Sequence, residues 1–345
     1  MKKLWIVLLV CLLNSLTAFS AQDPAAAPEQ EGTPAEPQID PAAVPVQPVE
    51  LPRIPGEARG QEEWIAWQQV EMASTPAQAA TAAQQFLENY PDSGLTAHAY
   101  YRIAQNDYAL GAVESFILNA EKALTELPNL VDLHSQLAFF YAERGESAIA
   151  IDHATRALAI VDQATVPTGV SAGQWVSQVF QLRAESNYAL GRAYLNQIAQ
   201  DKAVDGTPNL DKAITYLGTA LRFEPQHDFA SFRLGFAERN AGNVEGTLMA
   251  YGRSVAIGKV AAQPAQAAVE EVLGILKRAM PDSPWAEKTV GEIVEQATQQ
   301  MQDDIARIQA EQSRMIQELE LELETQPAAA PAAETPLQPE SPTQD

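Results

Sequence analysis

Cysteine is all but missing: the 345 residues hold one, Cys11, and it lies inside an apolar leader. Residues 1–20 read as a secretory signal. Lys2 and Lys3 open it, Leu4 to Leu13 is an apolar run, and Ala18-Phe19-Ser20 sets small residues where a signal peptidase reads. Cleavage before Ala21 is expected. An anchor kept in place is the weaker alternative, because the run falls short of the roughly 20 residues of a spanning helix. Val10, ahead of Cys11, argues against a lipoprotein. Without its leader the chain has no disulfide, no thiolate nucleophile and no cysteine metal site. Apolar burial alone must hold it together, and its length allows that.

Positive charge is scarce too, with 22 Lys and Arg against 45 Asp and Glu and a net charge of −23. Losing Lys2 and Lys3 makes the mature chain more acidic still. No basic run stands out, so neither nucleic acid nor anionic lipid is expected as a partner. No membrane insertion is expected once the signal is cleaved. Strand-like alternation is absent over any useful length. The four histidines, His98, His134, His153 and His227, lack the spacing of a metal pair. G-x-S-x-G and S-x-x-K are missing. GRSVAIGKV (252–260) has one residue too many between its glycines for a phosphate loop, and it ends in valine. The expectation is a non-enzyme with no catalytic residue, no metal and no cofactor.

Proline is abundant only at the ends. Residues 21–60 and 326–345 mix proline with Ala, Glu and Gln, which removes amide donors and leaves too little apolar surface for a core. Both are expected to be disordered tethers. PVQPVELPRIP has P-x-x-P spacing, a spacing that arises by chance in such linkers.

Between the tethers the chain repeats itself. GAVESFILNAEKALTEL (111–127) and GESAIAIDHATRALAIV (145–161) start 34 residues apart and share Gly111/Gly145, Ile117/Ile151, Ala120/Ala154, Ala123/Ala157 and Leu124/Leu158. Fixed self-similarity at this interval marks a helical solenoid. Ala150, Ala154 and Ala157 fall on one helix face, where small residues admit a close neighbour. Upstream of each stretch, Tyr100, Ile103 and Ala104 recur as His134, Leu137 and Ala138. A third unit carries Leu190-Gly191, Tyr194, Ala213, Leu217, Ala220 and Pro225. A fourth carries Leu234-Gly235, Gly242 and Tyr251.

These residues resemble the tetratricopeptide repeat. Ser254 stands where that family prefers alanine, and Glu238 where it prefers tyrosine. Surplus residues precede and interrupt the third unit, so a kink is expected there. Residues 77–91 and 264–281 look like outlying copies. The resemblance implies an all-α superhelix over residues 61–281 with a concave groove along the first helix of each hairpin. It puts His98, Tyr101, Gln105 and Tyr108 in that groove, then Asp132, Ser135, Phe139 and Glu143. Tyr188, Arg192 and Asn196 follow, then Phe229, Phe232, Phe236, Arg239 and Asn240. The candidate partner-binding residues are the rings and arginines among them: Tyr101, Tyr108, Phe139, Tyr188, Arg192, Phe229, Phe232, Phe236 and Arg239. The set of lysines and asparagines with which some members clamp acidic peptide ends is lacking: the groove has no lysine among these places, and of asparagines only Asn196 and Asn240.

Residues 284–325 read as one long helix. Val294, Met301, Ile308 and Met315 recur every seven residues, with Thr298, Ile305, Gln312 and Leu319 as companions. The seam is of moderate quality, weakened by Thr298 and Gln312. The favoured expectation is that the first half of this helix caps the last repeat while the rest projects as a solvated helix, and that the protein is an exported scaffold, periplasmic or extracellular. It would bind a peptide or helix of another envelope protein. The alternative is a structural envelope component that forms a homodimer through the terminal coiled coil.

Overall fold

A computed structural model describes residues 58–167, 169–200 and 207–325; the expected signal, nearly all of the proline-rich linker and the tail lie outside the described residues. The described residues form twelve helices and no strand. Five hairpins follow one another: α1 (Gln61–Glu71) with α2 (Pro76–Asn89), α3 (Thr96–Ala109) with α4 (Val113–Glu126), and α5 (Val131–Glu143) with α6 (Ser147–Gln163). Then come α7 (Ala172–Gln200) with α8 (Thr207–Phe223) and α9 (Asp228–Asn240) with α10 (Val244–Ile257). A lone α11 (Ala262–Ala279) precedes the terminal α12 (Val290–Thr325). Each second helix packs on the first helix of the next hairpin, and α11 takes that place against α10. This is an all-α solenoid of the tetratricopeptide type.

Small residues set the spacing. Ala120, Ala123, Ala150, Ala154 and Ala157 are all fully buried, so helix backbones approach closely while Phe116, Leu133 and Leu137 fill the space beside them. Each large side chain withdrawn from water in this way contributes about 1.5–3 kcal/mol. Gly235 and Gly191 mark the tightest approaches within hairpins. A methyl group on Gly235 would stand 2.7 Å from the Tyr251 ring, and one on Gly191 would stand 2.5 Å from Leu217.

The turns within hairpins explain the recurrent glycine. Gly111, Gly145 and Gly242 have φ of 70°, 79° and 75°. After each, an amide reaches back five residues: Ala112 to Asp107, Glu146 to Tyr141, and Asn243 to Glu238, at 2.8–2.9 Å. This is the helix stop in which a left-handed residue satisfies two orphan carbonyls, and glycine adopts it without strain.

Both family departures in the fourth unit have partners. Ser254 is buried and donates to Asp228 at 2.8 Å, and Asp228 also accepts from the Ala261 amide at 2.8 Å. One carboxylate thereby ties α9, α10 and the start of α11. Glu238 accepts from Asn243, whose own oxygen caps α10 through the Gly246 amide.

The terminal helix begins later than its sequence suggests. Residues 280–289 turn, and Thr289 then starts α12: its hydroxyl accepts from the Glu292 amide while the Glu292 carboxylate accepts from the Thr289 amide. From there α12 lies along its own chain. Ile293 and Ala297 press on Gly252 of α10, and Asp304 pairs with Arg253. Ile308, Met315, Ile316 and Leu319 meet Val176 and Phe180 of α7 and Phe223 of α8. The seam is thus engaged within the molecule along most of its length: its first half covers the last hairpin as expected, but the second half, expected to project into solvent, packs on α7 and α8 instead. Leu321 and Leu323, near its end, stay exposed.

Candidate functional site

The first helices α3, α5, α7, α9 and α11 are tied to one another by polar contacts at their facing sides. Tyr101 donates to Asp132 at 2.8 Å, Ser135 to Glu185 at 3.3 Å, and Tyr188 to Glu143 at 2.6 Å. Arg239 grips Glu271 with two nitrogens at 2.9 and 2.8 Å. A second ladder is made of rings. Tyr108 meets Phe140 at 6.0 Å between centroids, Phe140 meets Phe139 at 5.4 Å, Phe139 meets Tyr188 at 5.8 Å, and Tyr188 stacks on His227 at 4.8 Å. Ring pairs at these separations add to simple burial.

Several residues assigned to the groove therefore sit inside it rather than on it. Tyr101 is 0% exposed and Tyr188 is 1% exposed, with burial and the adjoining carboxylates pushing both phenols well up. Their rings fill the junctions between successive first helices, and Asp132 and Glu143 receive their hydroxyls. His98, Asp132 and Ser135 are buried as well. Tyr108, Phe139, Phe229 and Phe232 are half-buried. Phe232 leans on Tyr251 at 5.5 Å. Arg192 lies 3.6 Å from Glu143, and Arg233 lies 3.9 Å from the same carboxylate.

Phe236 is different: 46% of it faces solvent. It follows Phe229 and Phe232 at seven and four residues, so all three share one side of α9. One turn on, Arg239 borders an apolar hollow lined by Val244, Thr247, Val272, Ile275 and Leu276.

Two features were not visible in the sequence. Glu185 lies one turn ahead of Tyr188 on the same side of α7, a place that the upstream extension of that helix brings into the row. Burial pushes its carboxyl up to about 7, the charge of Glu224 adds to this, and hydrogen bonds from Gln181 and Ser135 pull the other way. The second is a pair of histidines. His134 Nδ1 is 2.8 Å from His153 Nδ1, His134 Nε2 donates to the Pro128 carbonyl at 2.9 Å, and His153 Nε2 is 3.2 Å from Glu121, which also accepts from Tyr141. Burial holds His134 below its usual value, and the His153 hydrogen bond holds Glu121 below its own. A spacing of 19 residues across a turn gives no periodic signal, so this contact could be found only in three dimensions.

Among the described residues, no group of three His, Cys, Asp or Glu is placed to hold a metal ion, and no helix is long and apolar enough to cross a membrane.

No family model and no curated protein matches the chain. Solved structures do resemble it at low identity. The MamA RS-1 ArsTM double mutant aligns over 58% of this chain and 96% of its own, with 14% identity and a TM-score of 0.40. PilW, a widely conserved type IV pilus biogenesis factor, aligns over 66% of this chain and 97% of its own, with 18% identity and a TM-score of 0.37. A tetratricopeptide repeat protein from Parabacteroides merdae aligns over 69% of this chain and 100% of its own, with 10% identity and a TM-score of 0.30.

Proposed function

We propose that this protein is an exported scaffold that binds a peptide or helix of another envelope protein along its row of first helices. Its work is recognition at equilibrium, without turnover. The observation that carries the reading is Phe236, a large ring left 46% exposed on the side of α9 that already bears Phe229 and Phe232. Aromatic side chains are the residues that most often anchor protein interfaces. Beside it, the hollow between α10 and α11 offers apolar walls to a neighbouring side chain of the bound segment. Export rests on the leader sequence, whose removal would leave no long apolar run behind.

The test is site-specific. A photo-crosslinking residue at position 236, on a first helix, is compared in living cells with one at position 118, where Leu118 is exposed on the second helix α4. A discrete adduct from position 236 alone is expected. Equal labelling from both positions, or labelling from 118 alone, would sink the reading.

A further inference from the structure

Among the described residues, no cation pairs with Glu185 of the binding row. Glu185 accepts from Gln181 Nε2 at 3.0 Å and from Ser135 Oγ at 3.3 Å, and both donors are neutral. Other carboxylates of the row are differently placed. Glu143 has Arg192 and Arg233 beside it, and Glu271 holds Arg239. Asp132 also relies on neutral donors, Tyr101 and Gln105, but at 4% exposure it is closed off. Glu185, unlike Asp132, keeps part of its surface exposed. Among the described residues no lysine or arginine lies within ion-pair distance of it.

The surroundings of Glu185 raise the demand for positive charge. Two titratable groups face it: Tyr108 from α3 and Glu224 from beyond α8. α5 contributes the Ser135 hydroxyl, and α7 the Gln181 amide. A partly buried carboxylate with neutral donors and a like charge nearby is costly to ionise unless a cation joins it, and a glutamine of the same shape would avoid the cost. Tyr108, with its ring half-buried nearby, gives the aliphatic stem of a long basic side chain a surface to lie on. At longer range, the net charge of −23 draws basic segments toward the molecule.

We propose that Glu185 is the anchor point for a lysine or arginine side chain of the bound segment, so that the partner is a basic peptide or helix. The inference rests on the binding row proposed above and specifies its ligand. An arriving ammonium or guanidinium pairs with the carboxylate, and any proton on Glu185 leaves to solvent. Because burial sets that proton's release at about 7, binding strengthens as the pH rises from 6 to 8. The competent, ionised fraction grows about tenfold over that range, and the apparent affinity follows it.

A random dodecapeptide library displayed on phage, panned on the full chain, supplies the probe. Selected peptides are then synthesised and titrated calorimetrically at pH 6 and pH 8. Expected are peptides with a required lysine or arginine, bound about tenfold more weakly at pH 6. Glu185→Gln should flatten the pH dependence and lose at least tenfold at pH 8. Changing the peptide's basic residue to glutamine should then cost nothing further. Glu185→Asp, which keeps the charge, should retain the preference, and far-UV dichroism confirms that each variant is folded. Peptides that need Phe236 but ignore Glu185→Gln overturn this inference and leave the binding row standing. If no selected peptide depends on either residue, both fall.

Discussion

Protonating His134 would set two N–H groups against each other across the 2.8 Å between its Nδ1 and that of His153. Its Nε2 already donates to Pro128, so only the neutral ring can accept from its neighbour. The folded state accordingly holds His134 below its usual value, and the unfolded chain binds the proton more readily. Stability from this source is present above the ordinary histidine range and is lost as the pH falls through it. Glu185 acts in the opposite sense: with its folded value raised, it favours the folded state as the pH drops toward the ordinary carboxylate range. The two are separated by substitution. Between pH 7 and pH 5, His134→Phe should lose less melting temperature than the unaltered chain, as read by far-UV dichroism, while starting lower at pH 7. An identical pH slope in both proteins would mean that His134 does not contribute to it.

At the scale of the helix pair, glycine and alanine decide how near two backbones come. Gly235→Ala puts a methyl 2.7 Å from the Tyr251 ring, which is itself packed against Phe232. Either Tyr251 shifts or α9 and α10 part, at an expected cost of about 1–3 kcal/mol in thermal or denaturant unfolding. Gly274→Ala, where the nearest atom is the mobile Arg278 head at 3.5 Å, should cost nothing measurable and serves as the control. These small residues are also why the hairpins could be read from the sequence. Gly111 and Gly145 close equivalent turns, and the buried alanines behind them occupy equivalent contacts, so the chain had to repeat them at a fixed interval. The binding row was less legible. A family position says which way a side chain leaves its helix, but not how tightly the next helix closes over it. Tyr101 and Tyr188 leave in the expected direction and are then enclosed by Asp132 and Glu143, whereas Phe236 is not enclosed. Glu185 escaped notice because the surplus residues before the third unit obscured where the row begins.

Across the whole molecule, the two irregular parts of the sequence turn out to complement each other. The surplus before the third unit became the first turns of α7, which present Val176 and Phe180, and the terminal helix brings Ile308, Met315 and Ile316 onto them. Leu319 extends the contact to Trp175 and Val179. A heptad seam read in isolation does not reveal whether it is answered by a second copy or by another part of its own chain, and here the answer lies in residues that looked like an interruption. The arrangement makes α12 a brace running from α10 across α8 to the start of α7. Ile308→Asp would place a carboxylate in the apolar contact that Val176 and Phe180 make with α12. Detachment of the outer half of α12 should follow, because hydrating that charge is worth more than the apolar contact it interrupts. Hydrogen exchange should then accelerate over residues 172–183 and 304–319, while the amides of α3 to α6 keep their protection. Sedimentation of the same variant reads the other half of the argument. If the brace forms within the chain, the unaltered protein and the variant share the mass of one chain at low concentration. An unaltered protein that sediments as a dimer, falling to a monomer with Ile308→Asp and no change in exchange over residues 172–183, would place the seam between copies instead.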